Sequence, residues 1–224
     1  MSQKLEDRDK NRQWYDPFRW LPWLRDFRAR KTTETPRDGE AFERFLGTLQ
    51  DAPRLRPMER MTSSPEFFRS ETYLAQGRRA DWQQVELDVQ RFAAAFVEAA
   101  RRVSVPLFVH GAFRTVEEQK RLKLAGRSTL GGPRAPHCQG FAVDIVHSRY
   151  AWNLTDAEWT YLGALGKDVA RRLGVRIRWG GSPDYGFYDP AHWEVPGWET
   201  AGKLAIPADP VRMTPRLMKR YLGV

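Results

Sequence analysis

A histidine and an aspartate seven residues apart, His137 and Asp144, with Gly140 between them, constrain this chain more than any other stretch. The run Arg134-Ala-Pro-His-Cys-Gln-Gly-Phe-Ala-Val-Asp144 reads as a loop that turns at glycine and enters a short strand. Such a turn can bring the imidazole and the carboxylate to one point. A second stretch, Asp189-Pro-Ala-His192-Trp-Glu194, supplies another imidazole from far along the sequence. Two neutral imidazoles and one carboxylate, with a fourth position left to water, suit a catalytic zinc. Asp189, three residues before His192, is then the acid/base candidate beside that water. Glu194 competes for this role or orients His192, because positions 192 and 194 of a strand share a face.

Composition decides what surrounds such a site. With 224 residues, 41% of them hydrophobic, the chain can bury a core and is not a disordered segment. Its net charge of +9 favours a polyanionic surrounding: nucleic acid, an anionic membrane surface or the acidic bacterial wall. The single cysteine, Cys138, excludes an intramolecular disulfide. It adjoins His137 and has to be weighed as a nucleophile or a fourth ligand. In an extended segment it points away from the side that His137 faces, as a small packing residue. The charged N-terminus lacks an apolar h-region, and no run approaches a membrane span. The expectation is cytoplasmic synthesis without a signal peptide.

Residues 1–60 form a basic, aromatic-rich extension of helical or irregular character. Trp14, Tyr15, Phe18, Trp20, Trp23 and Phe27 alternate with arginines there, and Pro17 and Pro22 break any long helix. This arm either docks on a membrane surface or partner protein, or packs its aromatics back on the main domain. Phe42, Phe45, Leu46 and Leu49 have helical spacing. The domain proper is expected over 61–202. Ser64-Pro65 marks a helix start, and Asp81 with Gln84 matches a capping box opening a longer helix with Val85, Val89, Phe92, Phe96, Ala99 and Val103 inward. Pro106–His110 reads as a buried strand leading to Arg114 at a strand-to-helix junction, where an arginine can project into a cleft. Thr115 with Glu118 caps the next helix, and Gly126 stops it. In the following loop, Arg127 and Arg134 either meet an acidic substrate or stay solvated. Phe141–Val146 is a central strand carrying Asp144, and His147 falls on its opposite face. Thr155 with Glu158 caps a further helix ending at Gly174; Val175–Trp179 is a strand, and Gly180-Gly181 a tight turn. Residues 203–224 form a tail with a short basic helix.

These motifs resemble peptidase family M15, the zinc D,D-peptidases and phage endolysins. The family pattern Ser-x-His-x-x-Gly-x-Ala-x-Asp is met at His137, Gly140, Ala142 and Asp144, with Ala135 in place of the serine. Gly111-Ala-Phe-Arg114-Thr resembles the family's Ser-Gly-Tyr-Arg-Ser/Thr. Trp179-Gly-Gly followed by Asp-x-x-His-x-Glu resembles the branch of phage L-alanyl-D-glutamate endopeptidases, where the acid before the last histidine is often aspartate. The resemblance spans about residues 80–200. It implies an α+β fold: a small, mainly antiparallel sheet flanked by helices, with zinc in an open groove. It also implies one zinc on His137, Asp144 and His192, Asp189 as base, and Arg114 stabilising the oxyanion. The implied substrate is the peptidoglycan stem peptide, most of all its L-Ala–D-Glu bond, cut during phage lysis or by a virion enzyme. No nucleic-acid partner is expected. A D-Ala-D-Ala carboxypeptidase or dipeptidase of the same family, and a non-catalytic zinc-stabilised wall-binding or virion module, remain open alternatives.

Overall fold

A computed structural model describes residues 56–201. The expectations for the arm, the helix around 42–49 and the C-terminal tail lie outside them. Four short strands make one sheet in the order β1-β2-β4-β3: β1 (Leu107–Gly111), β2 (Ala142–His147), β3 (Arg178–Trp179) and β4 (His192–Glu194). Every pairing is antiparallel. The helices are α1 (Glu71–Gly77), α2 (Leu87–Arg102), α3 (Val116–Leu124), α4 (Asp156–Leu173) and the short α5 (Trp198–Ala201). The architecture is α+β, as the sequence implies. No helix among the described residues is long and apolar enough to cross a membrane.

Alternation along β4 sorts core from site. Trp193 turns one way and meets Phe92 and Phe96 of α2, at ring-centroid separations of 5.0 and 5.2 Å. His192 and Glu194 turn the other way. On β2, Val143 and Ile145 join the same core, and Asp144 between them faces with His192. α2 and α4 pack on each other over that core, with Val89, Phe92, Leu162, Leu165 and Val169 buried. Burying a large aromatic such as Trp193 stabilises such a core by about 1.5–3 kcal/mol. The outer edge of β1 is covered by α1, whose Tyr73 hydroxyl donates to the Leu107 carbonyl at 2.8 Å.

Local signals succeed where the local chain decides. Thr115–Glu118 and Thr155–Glu158 both form capping boxes, and α4 ends at Gly174 with φ 72°. The expected box at Asp81 and Gln84 does not form. Gln84 sits in the left-handed region at φ 59°, which no helix interior accepts, and α2 begins at Leu87 with Glu86 as cap. Asp81 instead accepts from the Gln83 amide at 2.8 Å, closing a local turn. The helix expected from Pro65 starts later, at Glu71, with Ser70 capping it. The strand expected over 175–179 contracts to Arg178–Trp179.

Gly140 joins these parts. At φ 75° it ends the turn of 3-10 helix at Pro136–Gln139, and its carbonyl accepts from Glu86 at 2.9 Å. A Cβ there would lie 1.9 Å from the Gln84 carbonyl oxygen. Gly140→Ala is therefore expected to lower stability by about 2 kcal/mol or more. Urea unfolding checks this: the midpoint falls with little change in slope, and an unchanged midpoint contradicts the tight approach.

Candidate metal centre

Three elements deliver the three expected ligands. His137 comes from the turn before β2, Asp144 from β2, and His192 from β4, where it stands directly across from Asp144. Their atoms form a nearly equilateral triangle. His137 Nε2 lies 3.1 Å from Asp144 Oδ1 and 3.2 Å from His192 Nδ1, and the third side is 3.0 Å. All three residues are buried. A tetrahedral ion with bonds of about 2.0–2.1 Å sets its ligands about 3.3 Å apart, so the triangle needs little adjustment.

Hydrogen bonds outside the triangle fix the tautomers. His137 Nδ1 lies 2.7 Å from the Ala112 carbonyl, which can only accept, so the ring proton is on Nδ1 and Nε2 presents a lone pair. His192 Nε2 lies 3.0 Å from Glu194 Oε2, and the same logic leaves its Nδ1 toward the triangle. Two nitrogen lone pairs and a carboxylate oxygen thus converge, an arrangement that suits a cation. These residues could hold a metal ion. Without one, a proton can take part of its place. Burial opposes charge on His192, but hydrogen bonds to Asp144 and Glu194 outweigh it and push the imidazole up to about 9. Burial pushes His137 down, so it stays neutral. Burial also works against the Asp144 charge, yet Arg114 and the hydrogen bond to His192 hold the carboxyl well below its ordinary range.

Glu194 is buried and is itself clamped. Arg178 Nε donates to Glu194 Oε1 at 3.0 Å, and the guanidinium lies 4.8 Å over the Tyr185 ring. Glu194 therefore orients His192, and its carboxylate is engaged on both oxygens. Asp189 lines the groove above the triangle. Burial, then the Asp144 charge, raises its carboxyl above the ordinary aspartate range, which makes it a better base once ionised. Its position depends on Gly180, whose amide donates to His192 at 2.8 Å and whose carbonyl accepts from Asp189 at 3.0 Å. A Cβ on Gly180 would lie 2.3 Å from the Asp189 carbonyl oxygen.

Arg114 enters the same groove, and one of its amino groups hydrogen-bonds Asp144 Oδ2. It is thus a partner of a candidate ligand as well as a group facing the groove. Cys138 lies outside the ligand set. The segment is a 3-10 turn and not extended, so successive side chains diverge by about 120° instead of alternating faces. The thiol lies 3.7 Å from the Thr115 carbonyl, and burial pushes its pKa up, against a nucleophile. His147 is bound away from the site, with Nε2 2.9 Å from the Met61 carbonyl.

Two participants escaped the sequence. His110 is the extra residue where β1 shifts register between Val109 and Gly111, a bulge that places it in the groove with Trp152 edge-on at 4.6 Å. Arg178 stands opposite Glu194 across β3 and β4. Register of this kind has no local signature, although a glutamate two residues after a ligand histidine did mark half of the pair.

No protein-family profile and no curated protein matches the chain. Among solved structures, it is similar to the L-Ala D-Glu endopeptidase ChiX of Serratia marcescens, with a TM-score of 0.35 and 23% identity. That match covers 52% of this chain and 89% of the other.

Glu194→Gln removes the charge that fixes His192 and is expected to weaken metal binding roughly 10–100-fold, whereas His137→Ala abolishes it. Competition with a chromophoric chelator measures both. Wild-type affinity retained in His137→Ala would place the ion elsewhere.

Proposed function

We propose that the protein is a zinc peptidase that hydrolyses peptidoglycan stem peptides, with the L-Ala–D-Glu bond as its target. One observation carries the reading: two imidazole nitrogens and a carboxylate oxygen converge in a groove that Asp189 also lines, with a raised pKa. The ligand set of two imidazoles and one carboxylate favours zinc. The motif resemblance to family M15 supplies the substrate class and the bond. Delivery to the wall by phage lysis or by a virion belongs to the same proposal.

Zinc held by His137, Asp144 and His192 would supply Lewis acidity to the groove. Asp189 takes the proton of a water attacking the peptide carbonyl, then returns it to the leaving amine. Arg114 keeps N–H donors beyond the pair it makes with Asp144, and these stabilise the charge growing on the carbonyl oxygen. His137 and His192 stay neutral toward the ion because their other nitrogens donate to Ala112 and Glu194. The groove, at ≈ 1330 Å³, exceeds the roughly 300–1,000 Å³ of small-ligand pockets. This favours an endopeptidase acting on a chain over a carboxypeptidase that seats a terminal dipeptide.

The test is amine release from purified peptidoglycan with metal content determined alongside. Wild type is expected to carry about one zinc per chain and to cut the stem peptide. Asp189→Asn is expected to keep the zinc and to lose about 10²–10⁴-fold in kcat. A zinc-loaded wild type that releases no amine would leave the ion with a structural role and contradict the peptidase reading.

A further inference from the structure

The groove's charges separate into engaged and unengaged groups. Among its carboxylates, Asp144 and Glu194 are engaged by the site itself. Glu118 accepts from the Thr115 amide in its capping box, and Asp81 accepts from Gln83. Glu199 lies 3.9 Å from Arg178. Asp189 accepts from the Ala191 amide and lies within 4.0 Å of no arginine nitrogen. Among the cations, Arg114 is taken by Asp144 and Arg178 by Glu194. Arg79, Arg121 and Arg127 also line the groove, and among the described residues no carboxylate lies within 4.0 Å of them. The groove's guanidiniums without a carboxylate partner among the described residues are therefore Arg79, Arg121 and Arg127.

Arg121 and Arg127 share one wall, and that wall is built. α3 closes with Gly126 at φ 67°, after which the Arg127 amide donates to the Leu122 carbonyl at 2.9 Å. From the inner face of α3, the buried Gln119 donates at 2.8 Å both to Ser128 Oγ and to the Leu130 carbonyl. These bonds fix the backbone that carries Arg127 beside Arg121, instead of leaving it on a free loop.

We infer that Arg121 and Arg127 determine substrate specificity by binding a carboxylate on the substrate outside the reacting bond. A substrate carboxylate would give these two arginines the ion pair that no described residue supplies, and a planar guanidinium can engage it through two N–H groups. Arg79, beside His110, adds to the same field. The inference rests on the proposed peptidase reading and narrows its substrate to acidic peptides.

The probes are the stem peptide L-Ala–D-Glu–L-Lys and the same peptide amidated at the free glutamate carboxylate. Binding is read by calorimetry on the full zinc-loaded chain carrying Asp189→Asn, and cleavage on the wild type. Because both arginines are exposed to solvent, the acidic form is expected to bind about 5–30-fold more tightly. The gap should close with Arg121→Gln plus Arg127→Gln, narrow with salt, and reverse with Arg127→Glu. Affinity for the amidated form should hold in the glutamine variant, with metal content and urea midpoint unchanged. Equal binding of the two forms, binding of neither, or a gap that survives in the double variant would overturn the inference. A binding gap without cleavage of either peptide by the wild type would sustain it and remove the peptidase reading instead.

Discussion

Asp144 stands across from His192 in the β2–β4 pairing, and the rest of the structure serves that opposition. A one-residue slip of β4 would turn His192 into the core and bring Trp193 into the groove beside Asp144. The register is held from the core side, where Trp193 fits among Phe92, Phe96 and Trp179. Packing that looks purely structural is thus what sets the 3.0 Å separation of a carboxylate oxygen and an imidazole nitrogen. His137 is brought to the same point by a different device, a short turn closed by Gly140 and held under the start of α2.

Electrostatics then give the convergent groups their chemistry. Each imidazole is prevented from protonating the wrong nitrogen by an acceptor behind it, one a backbone carbonyl and the other a buried carboxylate. That carboxylate would be costly alone, and Arg178 compensates it. Arg178, Glu194 and His192 therefore form one chain of contacts from the sheet edge to the triangle. On the other side, Arg114 offsets the charge of Asp144. The groove is left with Asp189, which accepts from the Ala191 amide and pairs with none of the arginines, and with Arg79, Arg121 and Arg127 unpaired by any carboxylate of the described residues.

Much of this was legible in the sequence, for identifiable reasons. The candidate ligands could be named because His137 and Asp144 are close in the chain and His192 sits in a recognisable motif. The caps at Thr115 and Thr155 could be read because a capping box is closed within four residues. The same logic failed at Asp81, where a tertiary contact with Gly140 holds Gln84 in a left-handed turn. Cys138 was placed outside the ligands on the premise of an extended chain, whereas a 3-10 turn accounts for its position. The bulge at His110 and the Arg178–Glu194 pair depend on strand register, which residues far apart decide together.

X-ray absorption at the metal edge of the loaded, dialysed protein tests the centre most directly. The expected first shell holds only nitrogen and oxygen, at about 2.0–2.1 Å, with the outer-shell scattering of two imidazoles. A sulfur at about 2.3 Å would bring Cys138 into the shell and contradict the three-ligand centre. So would a protein that retains no metal after dialysis.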